Sequence, residues 1–177
     1  MKRELFIHFA FCVSFFILIS IFRNHLNLNY WPFWLGGVIG TFLPDIDHLV
    51  YVFFLSPQEL TSQRVNFLLG RREVKRMIEL LYETRNERKD LVFHSILFQL
   101  IFFALTFFIL TSSTSIFAKG LVLSFSLHLS MDQIIDLVEI KSLDNWKKYL
   151  PFDLDFRKSQ IYAAASTLLV CIFGFLM

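Results

Sequence analysis

Long apolar runs constrain this chain more than any other feature of its sequence. Five of them are long enough to cross the ~30 Å hydrocarbon core of a bilayer as a helix. They cover roughly residues 4–22, 31–55, 91–111, 116–140 and 160–177. Hydrophobic residues make up 55% of the chain, which exceeds the usual share in a soluble domain. We therefore predict an all-α integral membrane protein, a single domain with about five transmembrane helices.

Lysine and arginine are distributed unevenly between the connections. The connections at 56–90 and 141–159 hold eight and five of these residues, and those at 23–30 and 112–119 hold one each. Cytoplasmic loops are enriched in Lys and Arg, so the N-terminus and both long connections are predicted to be cytoplasmic. The net charge is only +2, so it does not suggest a nucleic-acid partner.

The second apolar run contains a predicted break. The segment GGVIG is followed by Pro44, which lacks a backbone donor and disfavours the helical conformation of the residue before it. Non-helical backbone at membrane depth is tolerated where it lines a site or a cavity. We therefore predict that the second helix is broken near Pro44, next to the carboxylates that follow it.

A cytoplasmic amphipathic helix is predicted around residues 71–90. Val74, Met77, Ile78 and Leu81 recur at the i, i+3, i+4, i+7 spacing of one helical face, and basic residues lie alongside them. Such a helix rests on the inner membrane surface or packs on the cytoplasmic mouth of the bundle, and the pattern is typical of both arrangements.

Four histidines and four aspartates lie inside the predicted membrane segments, away from their ends, where each of them is energetically costly. They are His8, Asp45, Asp47, His48, His94, His128, Asp132 and Asp136. At ~1.5 Å per residue, most of them fall ~6–18 Å below the predicted cytoplasmic boundary. Four helices can therefore direct ligands at one point in the inner leaflet.

Spacing and chemistry favour a metal site at that point. His128, Asp132 and Asp136 share one helical face, and Asp45 and His48 converge if their turn is helical. Imidazole with carboxylate suits Zn, Mn or Fe, and a bridging Asp would hold two ions. Paired metals suit hydrolysis because they activate water and stabilise the leaving oxygen. Asp136 lies nearest the cytoplasmic end. Its position is as consistent with orienting His128 or a metal-bound water as it is with metal ligation.

Two other interpretations stay open. The same groups could form the ion or proton pathway of a transporter or binding protein, or a structural metal site within a polar packing network. Transport requires polar groups on both sides of the site. The outer halves of the first, third and fifth apolar runs are nearly all apolar, which weakens the transport interpretation.

Three motifs together resemble a known family. The segment from Gly40 to His48 reads G-x-x-L-P-D-I-D-H, His94 is followed by Ser, and His128 begins an H-x-x-x-D pattern. This set resembles the YdjM-like, LexA-regulated inner-membrane proteins, which are described as membrane-bound metal-dependent hydrolases. His8 in the first run, Trp146, and the Pro-Phe pair at 151–152 belong to the same pattern.

The resemblance implies a function and roles for the residues. The family has been grouped with all-helical zinc phospholipases C and related zinc nucleases, which implies zinc and phosphoester hydrolysis, here on a membrane lipid of a bacterial or archaeal inner membrane. The metal ligands would then be His8, Asp45, His48, His94, His128 and Asp132, and Asp47 would be a ligand or the general base. The family often has Arg-Gly-x-Thr before the His-Ser pair, where this chain has Asp-Leu-Val-Phe. An anion-binding residue would therefore have to be Arg88, Lys89 or another cation.

Overall fold

The described part of the chain is helical throughout. The computed structural model describes residues 2–88, 91–148 and 154–177, without the side chains of residues 2–5 and His8. These residues contain no strand, which confirms the all-α class. The α-helices are α1 Lys2–Phe22, α2 Trp31–Phe42, α3 Ile46–Val50, α4 Leu60–Gly70, α5 Val74–Glu83, α6 Ile96–Ser112, α7 Ile116–Glu139 and α8 Phe156–Leu176. Short 3₁₀ helices lie at Leu28–Tyr30, Arg85–Glu87 and Asp144–Trp146, and a π-helical turn lies at Tyr51–Leu55.

Among the described residues, three helical segments are long and apolar enough to cross a membrane. They are Leu28–Leu55, Ile116–Glu139 and Phe156–Leu176, which correspond to the second, fourth and fifth predicted runs. The first and third runs contain shorter apolar helices, Phe9–Phe22 and Ile96–Ser112. The chain is therefore compatible with a membrane protein, and the count of five spans stays a prediction.

The second run is interrupted next to Pro44, as its sequence predicts. Helix α2 ends at Phe42 and α3 begins at Ile46. Between them, the Asp45 N–H donates to the Phe42 carbonyl at 3.2 Å, an i→i+3 bond that tightens the turn. Pro44 has no N–H to continue the α-helical pattern. The turn sets Asp45 at the start of α3.

Two predicted boundaries are wrong. Among its described residues, the amphipathic helix predicted around 71–90 is α-helical from Val74 to Glu83, and a second helix, α4, precedes it. The helix in the third predicted run begins at Ile96 rather than at residue 91. Ser95 is its N-cap, with its hydroxyl accepting from the Phe98 N–H at 3.3 Å. Residues 91–95 are therefore a turn, and this turn carries His94.

Helices α2 and α7 pack closely because glycines line their interface. A Cβ added at Gly36 would clash with the Phe117 carbonyl oxygen, and one added at Gly40 would clash with that of Leu121. Small residues spaced four apart let two helix backbones approach closely, as in helix pairs within membranes. Beside Gly40, the Thr41 hydroxyl bonds to the Ser124 hydroxyl at 2.7 Å. This close packing brings the turn after α2 against the middle of α7.

Side-chain contacts fix the relative directions of the helices. Along α2 and α7 the residue numbers of contacting pairs rise together, so these helices run parallel. The Thr106–Ser126 bond at 3.1 Å and the Gln99–Gln133 bond make α6 antiparallel to α7. Consequently the C-terminal ends of α2 and α7 and the N-terminal end of α6 lie at one end of the bundle. The described part of the basic connection, residues 56–88, lies at that end as well.

Candidate metal centre

Three buried side chains converge on one point at this end of the bundle. Asp132 Oδ2 lies 2.9 Å from His94 Nε2 and 3.1 Å from His128 Nε2. His128 and Asp132 are one turn apart on α7, and His94 projects from the turn before α6. The potential ligand atoms of the three residues lie within 4.8 Å of one another. Two imidazoles and a carboxylate are a ligand set that suits a transition metal with an open coordination position.

The turn after α2 adds a second group of ligand atoms, which also includes His94. Asp45, His48 and His94 form another group whose atoms lie within 4.8 Å of one another. Asp45 Oδ1 is 3.6 Å from His128 Nε2, which joins the two groups. The Asp45 side chain is 48% exposed, whereas that of Asp132 is 4% exposed. Asp45 therefore borders open space, and Asp132 lies at the buried base of the cluster.

Asp47 lies behind His94 and holds it in place. Its carboxylate accepts the backbone N–H groups of Val92 at 3.1 Å and Phe93 at 2.6 Å, and that of His94 at 3.3 Å. Its Oδ2 is also 3.4 Å from His94 Nδ1. A carboxylate on the outer nitrogen of a histidine fixes the ring orientation and makes the inner nitrogen the ligand. His94 therefore offers only Nε2 to the cluster, so the two groups share one ligand atom and describe one centre.

Asp136, on α7, also lies outside the ligand groups and contacts residues next to them. It accepts the Trp146 indole N–H at 2.7 Å and the Arg85 guanidinium at 3.0 Å. The Trp146 ring packs edge-on against the His94 ring, with centroids 5.4 Å apart. Arg85 also donates to Asp132 Oδ1 at 3.3 Å. The two oxygens of Asp132 thus face opposite ways, Oδ1 toward Arg85 and Oδ2 toward the histidines.

Arg88, in the basic connection, contacts His48. Its Nε–H donates to His48 Nδ1 at 3.0 Å, and its terminal nitrogens donate to the Thr84 hydroxyl at 3.1 Å and to the Leu81 carbonyl. Burial and the neighbouring Arg85 lower the pKa of Arg88 to about 10, so the guanidinium is still protonated at neutral pH. A neutral imidazole has one lone-pair nitrogen and one N–H. The Arg88–His48 bond and ligation through His48 Nε2 therefore exclude each other.

A cavity of about 350 Å³ opens beside the cluster. Its polar lining consists of Thr41, Asp45, His48, Tyr82, Arg85, Arg88, His128 and Asp132. Its apolar lining consists of Phe9, Phe42, Leu49, Ile78 and Leu81. The lining residues come from α1, the α2–α3 segment, α5 and α7. Helix α5 therefore covers the cluster as well as bordering it.

The structure brings together most of the residues that the sequence singles out. Asp45, His48, His94, His128 and Asp132 offer ligand atoms to one centre, as the predicted depths suggest. Asp47 and Asp136 lie outside both ligand groups and orient His94, Trp146 and Arg85 instead. The His8 side chain and the Pro-Phe pair at 151–152 lie outside the described parts of the chain.

The contacts of two arginines with the cluster were not predicted. Arg85 and Arg88 belong to the basic connection, and the family resemblance suggested Arg88 or another cation only as an anion-binding residue. Their spacing of three residues at the end of an amphipathic helix is the available signal, since it puts both on the side facing the bundle.

Comparison of the chain with family models, curated proteins and solved structures finds no match to it.

Proposed function

We propose that this chain is a membrane-embedded, metal-dependent hydrolase. The observation that carries the proposal is the convergence of His94 Nε2 and His128 Nε2 on one oxygen of Asp132, beside an open cavity. A divalent metal bound there, with zinc the first candidate and manganese or iron the alternatives, would lower the pKa of water to ~7 and polarise a phosphoryl or carbonyl group.

The residues of the chain divide the remaining work. His94, His128 and Asp132 hold the ion, and Asp45 borders the cavity close enough to be a further ligand. Asp45 is the carboxylate that faces the open space, so it is also the residue best placed to accept a proton from an attacking water. Asp47 and Asp136 act through other residues, since their oxygens are occupied by His94, Trp146 and Arg85.

The substrate class we propose is a phosphoester of a membrane lipid or another membrane-associated molecule. Five spans with a cytoplasmic N-terminus would set the cluster near the inner-leaflet boundary, where lipid phosphates lie. Membership of the YdjM-like family, in a bacterial or archaeal inner membrane, is part of the same proposal. It rests on the motifs around Pro44, His94 and His128.

The first test is the metal content of the detergent-purified protein, measured by elemental analysis. We expect about one or two equivalents of zinc, manganese or iron in the wild type, and loss of that metal in His128→Ala and Asp45→Ala. His25→Ala is the matched control, because His25 stacks on Tyr30 away from the cluster. No metal in the wild type after addition of these ions would overturn the proposal.

The second test is turnover. Metal-loaded protein is incubated with phospholipids and lipid phosphates, and released headgroup or phosphate is measured. We expect hydrolysis of at least one of them that chelation abolishes and that Asp45→Asn reduces by about 100-fold or more, the range for loss of an acid–base or ligand group. Full activity in Asp45→Asn would exclude the proposed role of this residue.

A transporter or ion-binding protein remains the second candidate, and one observation favours it. Polar side chains continue beyond the cluster into the bundle, where Gln133 bonds to both Gln99 and Ser166, and Ser126 bonds to Thr106. All five are buried. Uptake of zinc into proteoliposomes, or metal-dependent uptake of protons, without any ester turnover would favour this candidate over the hydrolase.

A further inference from the structure

Arg88 is a buried cation whose partners are neutral. Its side chain is among the largest fully buried ones, with 2% of the residue exposed. Its described acceptors are an imidazole nitrogen, a hydroxyl and a backbone carbonyl. Among residues 2–88, 91–148 and 154–177, no carboxylate forms an ion pair with it, whereas Arg85 has two. Buried charges are normally paired, but this guanidinium has no ion-pair partner among the described residues.

Arg88 lines the cavity and has more N–H donors than described acceptors. The three described acceptors use three of the five N–H donors of the guanidinium. Arg88 lines the cavity together with His48, Asp45 and the two α7 ligands. The guanidinium fork matches the oxygens of a phosphate or carboxylate. An anionic group beside the candidate metal centre would therefore meet a cation of the protein as well.

The apolar part of the cavity lining suits a hydrocarbon chain. Phe42, Leu49 and Ile78 line the cavity, and 45%, 37% and 48% of their respective surfaces are exposed. The mouth is therefore bordered by apolar side chains, two of them on a segment long and apolar enough to span a membrane. The volume of about 350 Å³ is at the small end for ligand cavities, so it holds a headgroup and the start of a chain.

We propose that Arg88 is a specificity-determining residue that binds the anionic headgroup of an acylated ligand, whose chain leaves the cavity past Phe42 and Leu49. This inference rests on the proposed function for the identity of the site, but it concerns ligand selection and is tested by binding. The headgroup chemistry is that of a phosphate, which either a lipid or the free ion could supply, and the experiment separates these sources.

The experiment measures binding to zinc-loaded protein in dodecyl maltoside by isothermal titration calorimetry. The probes are oleoyl lysophosphatidic acid, monooleoylglycerol with the same chain and no phosphate, and inorganic phosphate. We expect the wild type to bind the lysophosphatidic acid at least tenfold more tightly than either other probe. Equal affinity for the two oleoyl probes would overturn the proposal, and so would equal affinity for inorganic phosphate. The wild-type comparison does not depend on the folding of any variant.

Variants then locate the preference. Arg88→Gln is expected to lose about tenfold or more of the affinity for lysophosphatidic acid, the scale of a charge-assisted hydrogen bond, while its affinity for monooleoylglycerol is unchanged. Arg88→Lys should keep part of the preference. Arg72→Gln is the control, because Arg72 is exposed on the turn between α4 and α5. Wild-type affinity for lysophosphatidic acid in Arg88→Gln would overturn the proposal.

The two proposals fail in different ways. Selective binding that depends on Arg88, with no ester turned over under any condition, would leave this inference standing and remove the hydrolase. Metal-dependent turnover that is equally fast on charged and uncharged lipids, and unchanged in Arg88→Gln, would leave the hydrolase and remove this inference.

Discussion

Asp132 shows how one residue can balance charge in a buried cluster. Its Oδ1 faces Arg85 at 3.3 Å, and its Oδ2 faces the two histidine nitrogens at 2.9 and 3.1 Å. A buried carboxylate needs a compensating charge or several donors. Arg85 supplies that charge on one side and leaves the other oxygen for an ion. The cluster is therefore held in a ligand-like arrangement by cations and donors of the protein itself.

Substitution of Asp47 tests whether a residue outside the ligand groups supports metal binding by holding the turn that carries His94. Asp47→Asn keeps the shape of the side chain but replaces an oxygen that accepts N–H groups with an amide that donates. The turn carrying His94 should then shift, and we expect the affinity for zinc to fall by about 10–100-fold, the range for the loss of such outer partners. Competitive zinc titration with a fluorescent chelator measures this fall.

Asp155→Asn is the matched control for that substitution. Asp155 caps the start of α8 through the Lys158 N–H at 2.8 Å, and asparagine caps helices equally well. Unchanged zinc affinity in Asp47→Asn would show that the turn holds His94 without this carboxylate.

His48 and His128 should differ in their contributions to metal binding. The Arg88 N–H occupies the Nδ1 lone pair of His48, whereas His128 Nε2 already faces Asp132 Oδ2 at 3.1 Å. We therefore expect His48→Ala to weaken zinc binding at least tenfold less than His128→Ala does, as measured by the same titration. Equal losses would mean that metal binding breaks the Arg88–His48 bond and recruits the ring.

At the scale of elements, the glycine interface between α2 and α7 sets the position of Asp45. Gly40→Ala would place a methyl group against the Leu121 carbonyl oxygen, so the helices must separate. We expect a loss of about 1–3 kcal/mol of stability, as for overpacking in a core, together with weaker zinc binding. Thermal unfolding in detergent and zinc titration are the measurements.

Gly70→Ala is the control, since no atom lies within 4 Å of the position of its Cβ. Alanine also favours the helix that Gly70 ends, so this variant should be at least as stable as the wild type. If Gly40→Ala keeps wild-type stability, the interface is looser than the backbone positions indicate.

The sequence predicted the elements that depend on local pattern and missed those that depend on distant contacts. The 3.6-residue repeat put His128 and Asp132 on one face of α7, and Pro44 correctly marked the interruption of the second run. Helix α4 was missed because residues 60–70 show little apolar periodicity. The role of Asp47 could not be predicted, because its partners lie 45 to 47 residues away in a turn that the hydropathy pattern assigned to a helix.

At the scale of the whole molecule, function and topology are linked through one end of the bundle. The cluster lies at the end where α2 and α7 finish and the basic connection begins, and helix α5 covers its cavity. If that connection is cytoplasmic, as the positive-inside rule predicts, the site opens near the inner leaflet. The predicted orientation therefore decides which leaflet can supply a ligand.

Labelling of single cysteines tests this orientation. In a background carrying Cys12→Ser and Cys171→Ser, Thr114→Cys lies in a connection with few basic residues and Lys75→Cys lies on α5. We expect a membrane-impermeant maleimide to label Thr114→Cys in intact spheroplasts and Lys75→Cys only after permeabilisation. Zinc content of the background protein verifies that the two serines leave the cluster intact. Labelling of Lys75→Cys in intact spheroplasts would invert the topology, and the cavity would then receive its ligand from the outer leaflet.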